Sequence, residues 1–529
     1  MAERLAGTWP LVRLALRRDR VLLPAWILGF AGMAGFSASA TVGLYPDESQ
    51  RVTAAEAVNG SAALVALYGR IYDPNSIGQL SLFKLTAFGA ALAAVLMVFV
   101  VIRHTRADEE SGRLELMAAG RVGRLSPLAA ALFVAFAASL ALAVLSALAL
   151  IAAGLAVPGS FAFGFGWGFT GIAFAAVAGV CAQVTTGARS ARGIALLLIA
   201  LAYAVRAVGD LSEGSWLSWL SPIGWMQQVR AYAGDRWWVL LLPLALAAIC
   251  VPLAVVLRER RDVDAGLIGD RPGPARGSIH GVFGLAWRLQ RGALLAWCLG
   301  FAAFGLLLGS ISDTVTGLLD SPQIQEFLKE LGGTRALADA FLATELSFAG
   351  IIVAAYGISA ASRLHTEEAE GHAEVLLSTP TPRVRWALSH TLVALLGVTL
   401  LLLVGGLAIG VGNALAMGEG SAVGQLLWAA LVRVPAAWVL TGMVLLVFGW
   451  LPRWVPLVWA VFVAALVLGE FGPLWDLPQW LMDVSPFVHS PRLPAPDSSN
   501  GGLLPLVALS ALLIAVGLVG WRRRDLHAD

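Results

Sequence analysis

The sequence predicts an all-α polytopic membrane protein, with twelve transmembrane helices in two tandem, parallel six-helix halves. Three observations carry this. Of 529 residues, 58% are hydrophobic and 13% charged, with a mean hydropathy of +0.78, a composition that requires a lipid solvent. Twelve apolar runs are long enough to cross about 30 Å of hydrocarbon as helices. The chain is also written twice.

The runs fall near 21–44, 82–102, 127–155, 169–187, 193–210 and 237–257, then near 292–312, 345–362, 388–411, 425–448, 454–470 and 502–521. An even number of spans puts both ends on one side. The segments between alternate spans, together with the two ends, hold 26 of the 36 Lys+Arg. The positive-inside bias therefore places both termini in the cytoplasm; the abundance of arginine over lysine reads as the mark of a GC-rich bacterial genome, and the membrane is then expected to be a bacterial plasma membrane. These basic residues flank the membrane rather than forming a domain, so the net charge of +2 implies no nucleic-acid partner. MAERLAGTWPLVRLALRRDR is basic and amphipathic and reads as a helix along the inner membrane face rather than as a cleaved signal. Cys181, Cys250 and Cys298 lie in apolar spans and read as small buried hydrophobes.

The repeat has four anchors in one order. LALRRDRVLLPAWILGF at 14–30 aligns without gaps on LAWRLQRGALLAWCLGF at 285–301, and DEESGRLEL at 108–116 on EEAEGHAEV at 367–375. Trp216-Leu217 and Ser221-Pro222 fall on Trp480-Leu481 and Ser485-Pro486, and Arg260-Arg261-Asp262 on Arg523-Arg524-Asp525. The domain reading follows: a first half over 1–265 with an opening helix at 5–20, a Gly/Pro-rich cytoplasmic linker at 266–280, and a second half over 281–529 with its opening helix at 281–291. Parallel halves of this kind are related by a pseudo-twofold axis along the membrane normal.

Acidic segments at 106–119 and 365–378 follow the second span of each half. Read as helices, they place Asp108, Gly112 and Glu115, and likewise Glu367, Gly371 and Glu374, in one narrow sector at i, i+4 and i+7. Each would lie flat with its acidic side toward the cytosol. A mid-helix glycine costs roughly 1 kcal/mol relative to alanine, so its recurrence suggests that something approaches the backbone closely there. The expected partner is a protein surface offering a groove and cationic groups, to which Glu109 and Glu368 would also contribute.

EAEGHAEVLLSTP at 368–380 resembles the coupling helix of ABC-2 type transporter permeases. The similarity extends to the opening helix, the Ser-Pro after the fifth span and the terminal Arg-Arg-Asp-Leu; the tandem layout and SPFVHSPRLP at 485–494 resemble the polyketide antibiotic exporter permeases. The family's Gly-Thr is here Gly-Arg at 112–113 and Gly-His at 371–372. The resemblance implies an ABC-2 permease fold and a membrane subunit that exports a hydrophobic or amphiphilic compound. It also implies that Asp108, Glu109, Gly112, Glu115, Glu367, Glu368, Gly371 and Glu374 couple to two copies of a separate ATPase, which would hold ATP and magnesium.

No cofactor, metal or catalytic site is expected in this chain. A phosphate-cradling loop needs a Gly-Lys pair, and Lys84 follows Phe83 while Lys329 follows Leu328. The rival is a proton-coupled carrier of the major-facilitator type. GRVGR at 120–124 is similar to part of its signature, but its aspartate is missing, and the acidic relays such a carrier needs inside spans are not evident, Asp210 and Glu470 lying at span ends.

The segments 46–80 and 313–344 read as helical lids over a pathway, or as braces. Tryptophan-rich stretches around Trp216 and Trp480 suit interfacial or re-entrant helices. Apolar walls imply a hydrophobic solute and contact with lipid. Arg433, about eight residues into its span, snorkels outward or meets a partner, or else contacts an anionic substrate. The 264 spacing carries Arg206 onto Glu470. That leaves two readings: an ion pair clamping an outer gate across the pseudo-twofold, or Arg206 paired with Asp210 one turn on.

Overall fold

The computed structural model describes all residues except 1–2, 46, 61, 115–119, 121, 212–215, 262–265, 267–276, 278–280, 318–333, 419, 471–477, 492, 495–501 and 526–529. Most of the expected linker at 266–280 and the middle of the segment 313–344 lie outside the described residues. The chain divides into two compact units, Met1–Gly273 and Pro274–Asp529. Among the described residues the regular elements are all helical. Eleven helices are long and apolar enough to cross a membrane, and Leu457–Gly469 is a shorter apolar helix. At about 1.5 Å per residue that helix spans roughly 20 Å. It stands where the fifth run of its unit was expected to reach back to 454, and the 3-10 turn Pro452–Trp454 with Pro456 delays its start.

In the first unit the opening helix Thr8–Arg18 ends at Asp19, and the first span, Leu22–Leu44, starts afresh. Its partner in the second unit is one unbroken helix, Gly281–Gly317, so the separate opening helix at 281–291 is corrected. Aspartate against glutamine accounts for the difference. Asp19 falls on Gln290 in the repeat alignment, and glutamine is the better helix former, whereas aspartate competes for backbone bonds. The fourth span begins at Val157, twelve residues before the expected 169, because Pro158 sits in its first turn, where a missing N–H costs nothing.

Small residues set the packing, as they must where lipid removes the hydrophobic drive between helices. In the first unit Gly164 and Gly168 of Val157–Val184 lie against the backbone of Ala143 and Ser139 on the preceding helix. Trp167, fully buried, donates its indole N–H to the Leu85 carbonyl at 3.2 Å. In the second unit Gly305 and Gly309 seat Gly281–Gly317 against the backbone of Arg383–Met417. Trp386, Phe448 and Trp521 stack at centroid separations of 5.0–6.4 Å.

The segment 46–80 of the first unit forms Glu48–Gly60 and Ala62–Tyr68. Trp216, in a 3-10 turn, and Trp480, in the short helix Gln479–Met482, are both exposed. The run at 425–448 is two helices, Ala422–Leu431 and Val434–Trp450, with Arg433 at the break and Pro435 in the first turn of the second. Arg433 is 5% exposed and donates to the Ala343 carbonyl at 3.0 Å. It is therefore buried against its own unit instead of snorkelling.

Candidate functional site: the acidic elbows

After the second span of the first unit the chain turns at His104 and forms the short helix Arg106–Glu110. Gly112 follows with φ +70. In the second unit Arg363–Ala369 is followed by Gly371 at φ +74, which caps His372–Leu377. The continuous coupling helix expected over 365–378 is thus corrected to two short arms bent at Gly371, and the one expected over 106–119 is broken at Gly112, with 115–119 outside the described residues. A methyl group on either glycine would meet nothing of this chain within 4 Å, so packing inside the chain is not the reason for them. Left-handed backbone is, since a side chain there costs about 1–2 kcal/mol. Gly371→Ala is accordingly expected to lower unfolding stability by about 1–2 kcal/mol, read as a drop in melting temperature; an unchanged melting temperature would contradict the strain argument.

The carboxylates at the base of each elbow turn inward. Asp108 is 5% exposed and accepts two hydrogen bonds from Arg18 at 2.7 and 2.9 Å, with Arg113 at 3.7 Å. Glu109 is 3% exposed and meets Arg106 at 2.8 Å, Arg258 at 3.0 Å and Arg261 at 2.6 Å. Glu110, exposed, accepts the Ala188 backbone N–H at 3.0 Å, opposite the positive end of helix Ala188–Leu211. In the second unit Glu367 pairs with Arg363 at 2.5 Å, and Glu368 takes a two-pronged contact from Arg524 at 2.7 and 2.6 Å. The acidic face expected toward the cytosol is, at these four positions, a buried base neutralised by the chain's own arginines.

The same construction is made twice. Glu109 and Glu368 are equivalent at the 259 spacing, and Arg261 and Arg524 at 263. Each arginine binds its glutamate, and the backbone carbonyl of each accepts from a further arginine at the start of the third span: Arg124 to Arg261 at 2.6 Å, Arg383 to Arg524 at 2.8 Å. Arg124 and Arg383 are themselves 259 apart. The end of the sixth span is therefore bound to both the elbow and the third span within each unit. Arg524 also lies over the rings of Trp521 and Phe448, 4.6 and 4.9 Å from their centroids.

Beyond the base, each elbow has an exposed tip. Glu370, Glu374 and Val375 are exposed in the second unit, as are Glu110, Ser111 and Arg113 in the first. Glu115 lies outside the described residues. The ligand atoms of Glu367, Glu370 and His372 fall within 4.8 Å of one another, but Glu367 is already committed to Arg363, which makes this an ion-pair cluster.

Sequence reasoning missed Asp19. It is fully buried, paired with His104 at 2.5 Å and with Arg103 at 2.9 Å. Burial pushes its carboxyl upward, but the His104 hydrogen bond and the charges of His104, Arg103 and Arg18 outweigh that and hold it below the ordinary carboxylate range. The available signal was an Arg-Arg-Asp at 17–19 in front of a span, repeating the Arg-Arg-Asp that follows the last span of each half.

Arg206 is fully buried and pairs with Asp210 at 3.2 Å, while its second nitrogen donates to the carbonyls of Ala66 and Leu67 at 2.9 and 3.0 Å. Of the two readings, the intrahelical pair is the one observed; the side chain of Glu470 lies outside the described residues.

The chain matches the family model described as Multidrug efflux system permease Rv1217c, C-terminal domain, over residues 10–257 and 279–522. It is 42% identical over 526 residues to the multidrug efflux system permease protein Rv1217c of Mycobacterium tuberculosis (strain ATCC 25618 / H37Rv), an alignment covering 98% of this chain and 95% of that relative.

Proposed function

The chain belongs to the multidrug efflux system permease family, and from that premise we propose that it is the membrane subunit of an ATP-driven exporter of the ABC-2 type. Two copies of a separate ATPase, carrying ATP and magnesium, dock on the two elbows from the cytoplasm, where both termini of the chain also lie. The cargo is a hydrophobic or amphiphilic compound moved out across the plasma membrane.

The observation that supports this best is the twice-built elbow, an exposed tip on a base locked by Glu109–Arg261 or Glu368–Arg524. A force on the tip reaches the end of the sixth span of its unit without first crossing a flexible loop. Coupling needs that property; a solvated loop has no use for it.

Glu115→Arg combined with Glu374→Arg tests the reading. The chain should fold, because Glu374 is exposed and substitution of an exposed residue changes stability by about ±0.5 kcal/mol. It should lose ATPase on co-purification, and ATP-driven efflux should fall at least about tenfold, the cost of about 1.4 kcal/mol in coupling. Normal efflux by this variant, or efflux by the purified chain in liposomes on a proton gradient without ATP, would replace the reading with the carrier.

A further inference from the structure

The two units part company at the end of the bundle away from the elbows. Ser221 and Ser485, equivalent at the 264 spacing, occupy the same local geometry: each hydroxyl donates to an alanine carbonyl on the preceding helix, Ala202 at 2.6 Å and Ala465 at 2.7 Å. Around Ser221 the first unit packs tryptophan. Trp219 and Trp238 stack with centroids 5.5 Å apart and planes within 10°, and Trp225 donates to the Trp219 carbonyl at 2.6 Å. At the same spacing the second unit has Asp483, His489 and Gly502 in place of these three residues.

A cleft of about 410 Å³ opens there. Its walls are apolar and come from three helices, with Leu440 and Met443 on the first, Ala464 and Leu468 on the second, and Leu506 and Leu509 on the third. Among the described residues of the lining, Asp483 is the one carboxylate, and no arginine or lysine lines the cleft. Asp483 is exposed, and one of its oxygens accepts from Gln479 at 2.8 Å. His489 directs Nδ1 to the Ser485 carbonyl at 3.2 Å.

We infer that this cleft binds an amphiphilic cation, its apolar body against the three helices and its charged nitrogen or phosphorus at Asp483. The volume lies in the range that accommodates drug-sized molecules. Apolar walls bind by area and shape, whereas a carboxylate at the rim favours a positive centre and disfavours an anion. The second unit lacks the three indoles at these positions, and one of the replacements supplies the charge, which places the site in the second unit. The inference names the substrate class of the efflux function proposed above and rests on that reading only for its physiological use; binding itself requires no ATPase.

Equilibrium dialysis of the detergent-purified full chain against tetraphenylphosphonium and tetraphenylborate, matched in size and opposite in charge, tests it. The cation should bind once per chain and more tightly than the anion. Asp483→Asn should weaken the cation about three- to fivefold, as loss of an exposed ion pair does, and leave the anion no weaker. His489→Trp, which restores a first-unit residue, should weaken both probes. Equal binding of the two ions by the unaltered chain, or Asp483→Asn binding the cation within twofold of it, would overturn the inference. Either result would leave the ATP-driven reading intact, which is tested by efflux instead.

Discussion

Glu109→Ala should cost about 3–5 kcal/mol of stability, the penalty for stripping a buried ion cluster of its counter-charge. One carboxylate serves Arg106, Arg258 and Arg261, all of them no more than 5% exposed. Removing it leaves three guanidiniums close together in a low-dielectric site, where their mutual repulsion adds to their desolvation. Arg261 would keep its 2.8 Å bond to Gln183, which is too little to offset a missing charge. Glu368→Ala should cost less, about 1.5–3 kcal/mol, the loss of a charge-assisted hydrogen bond. There a single arginine is stranded, and Arg524 rests on the faces of Trp521 and Phe448, which hold a cation in place. Thermal unfolding of the two variants separates them. Equal losses would mean that the three-arginine cluster in the first unit carries no more than the single pair in the second.

Much of this architecture is legible in the sequence because lipid demands it. Apolar runs of span length have no other reason to exist in such number, and several of their ends fall within a few residues of the observed helices, as 21–44 does against Leu22–Leu44, although the proline-marked start of the fourth span lies twelve residues from the expected one. The elbows were legible as repeated acidic segments and illegible in shape. A 3.6-residue period over 108–116 fits one helix as well as two, and only backbone geometry distinguishes a glycine interrupting a helix from one adopting positive φ. Partners were harder still. Glu109 meets Arg261 across 152 residues and Glu368 meets Arg524 across 156, separations at which periodicity says nothing. The repeat did contain the clue. Two acidic segments and two Arg-Arg-Asp exits recur together, and a charge that recurs with its opposite is a candidate pair. The cleft beside Asp483 was hidden for a different reason: Trp216 and Trp480 drew notice because they match, whereas the informative positions are those where Trp219, Trp225 and Trp238 do not.

Asp210→Leu alone should destabilise the first unit by about 3–5 kcal/mol, because it strands a buried guanidinium. Arg206 is fully buried, its charge is met by Asp210, and Asp210 also accepts from Ser218 at 2.7 Å. Arg206→Met alone should cost as much from the other side, leaving a carboxylate without its cation. Removing both charges is a different case, since apolar residues of similar volume often replace a buried pair at little cost. The Arg206→Met, Asp210→Leu double variant should therefore recover most of the loss. A residue of about 1–2 kcal/mol should remain, the desolvation left by unmet polar groups. The Ala66 carbonyl loses its donor, while that of Leu67 keeps the Tyr203 hydroxyl. Unfolding midpoints of the two single variants and the double one measure this coupling directly. If the true counter-ion of Arg206 were Glu470, Asp210→Leu would be mild, Glu470→Ala would be the damaging change, and the double variant would show no recovery.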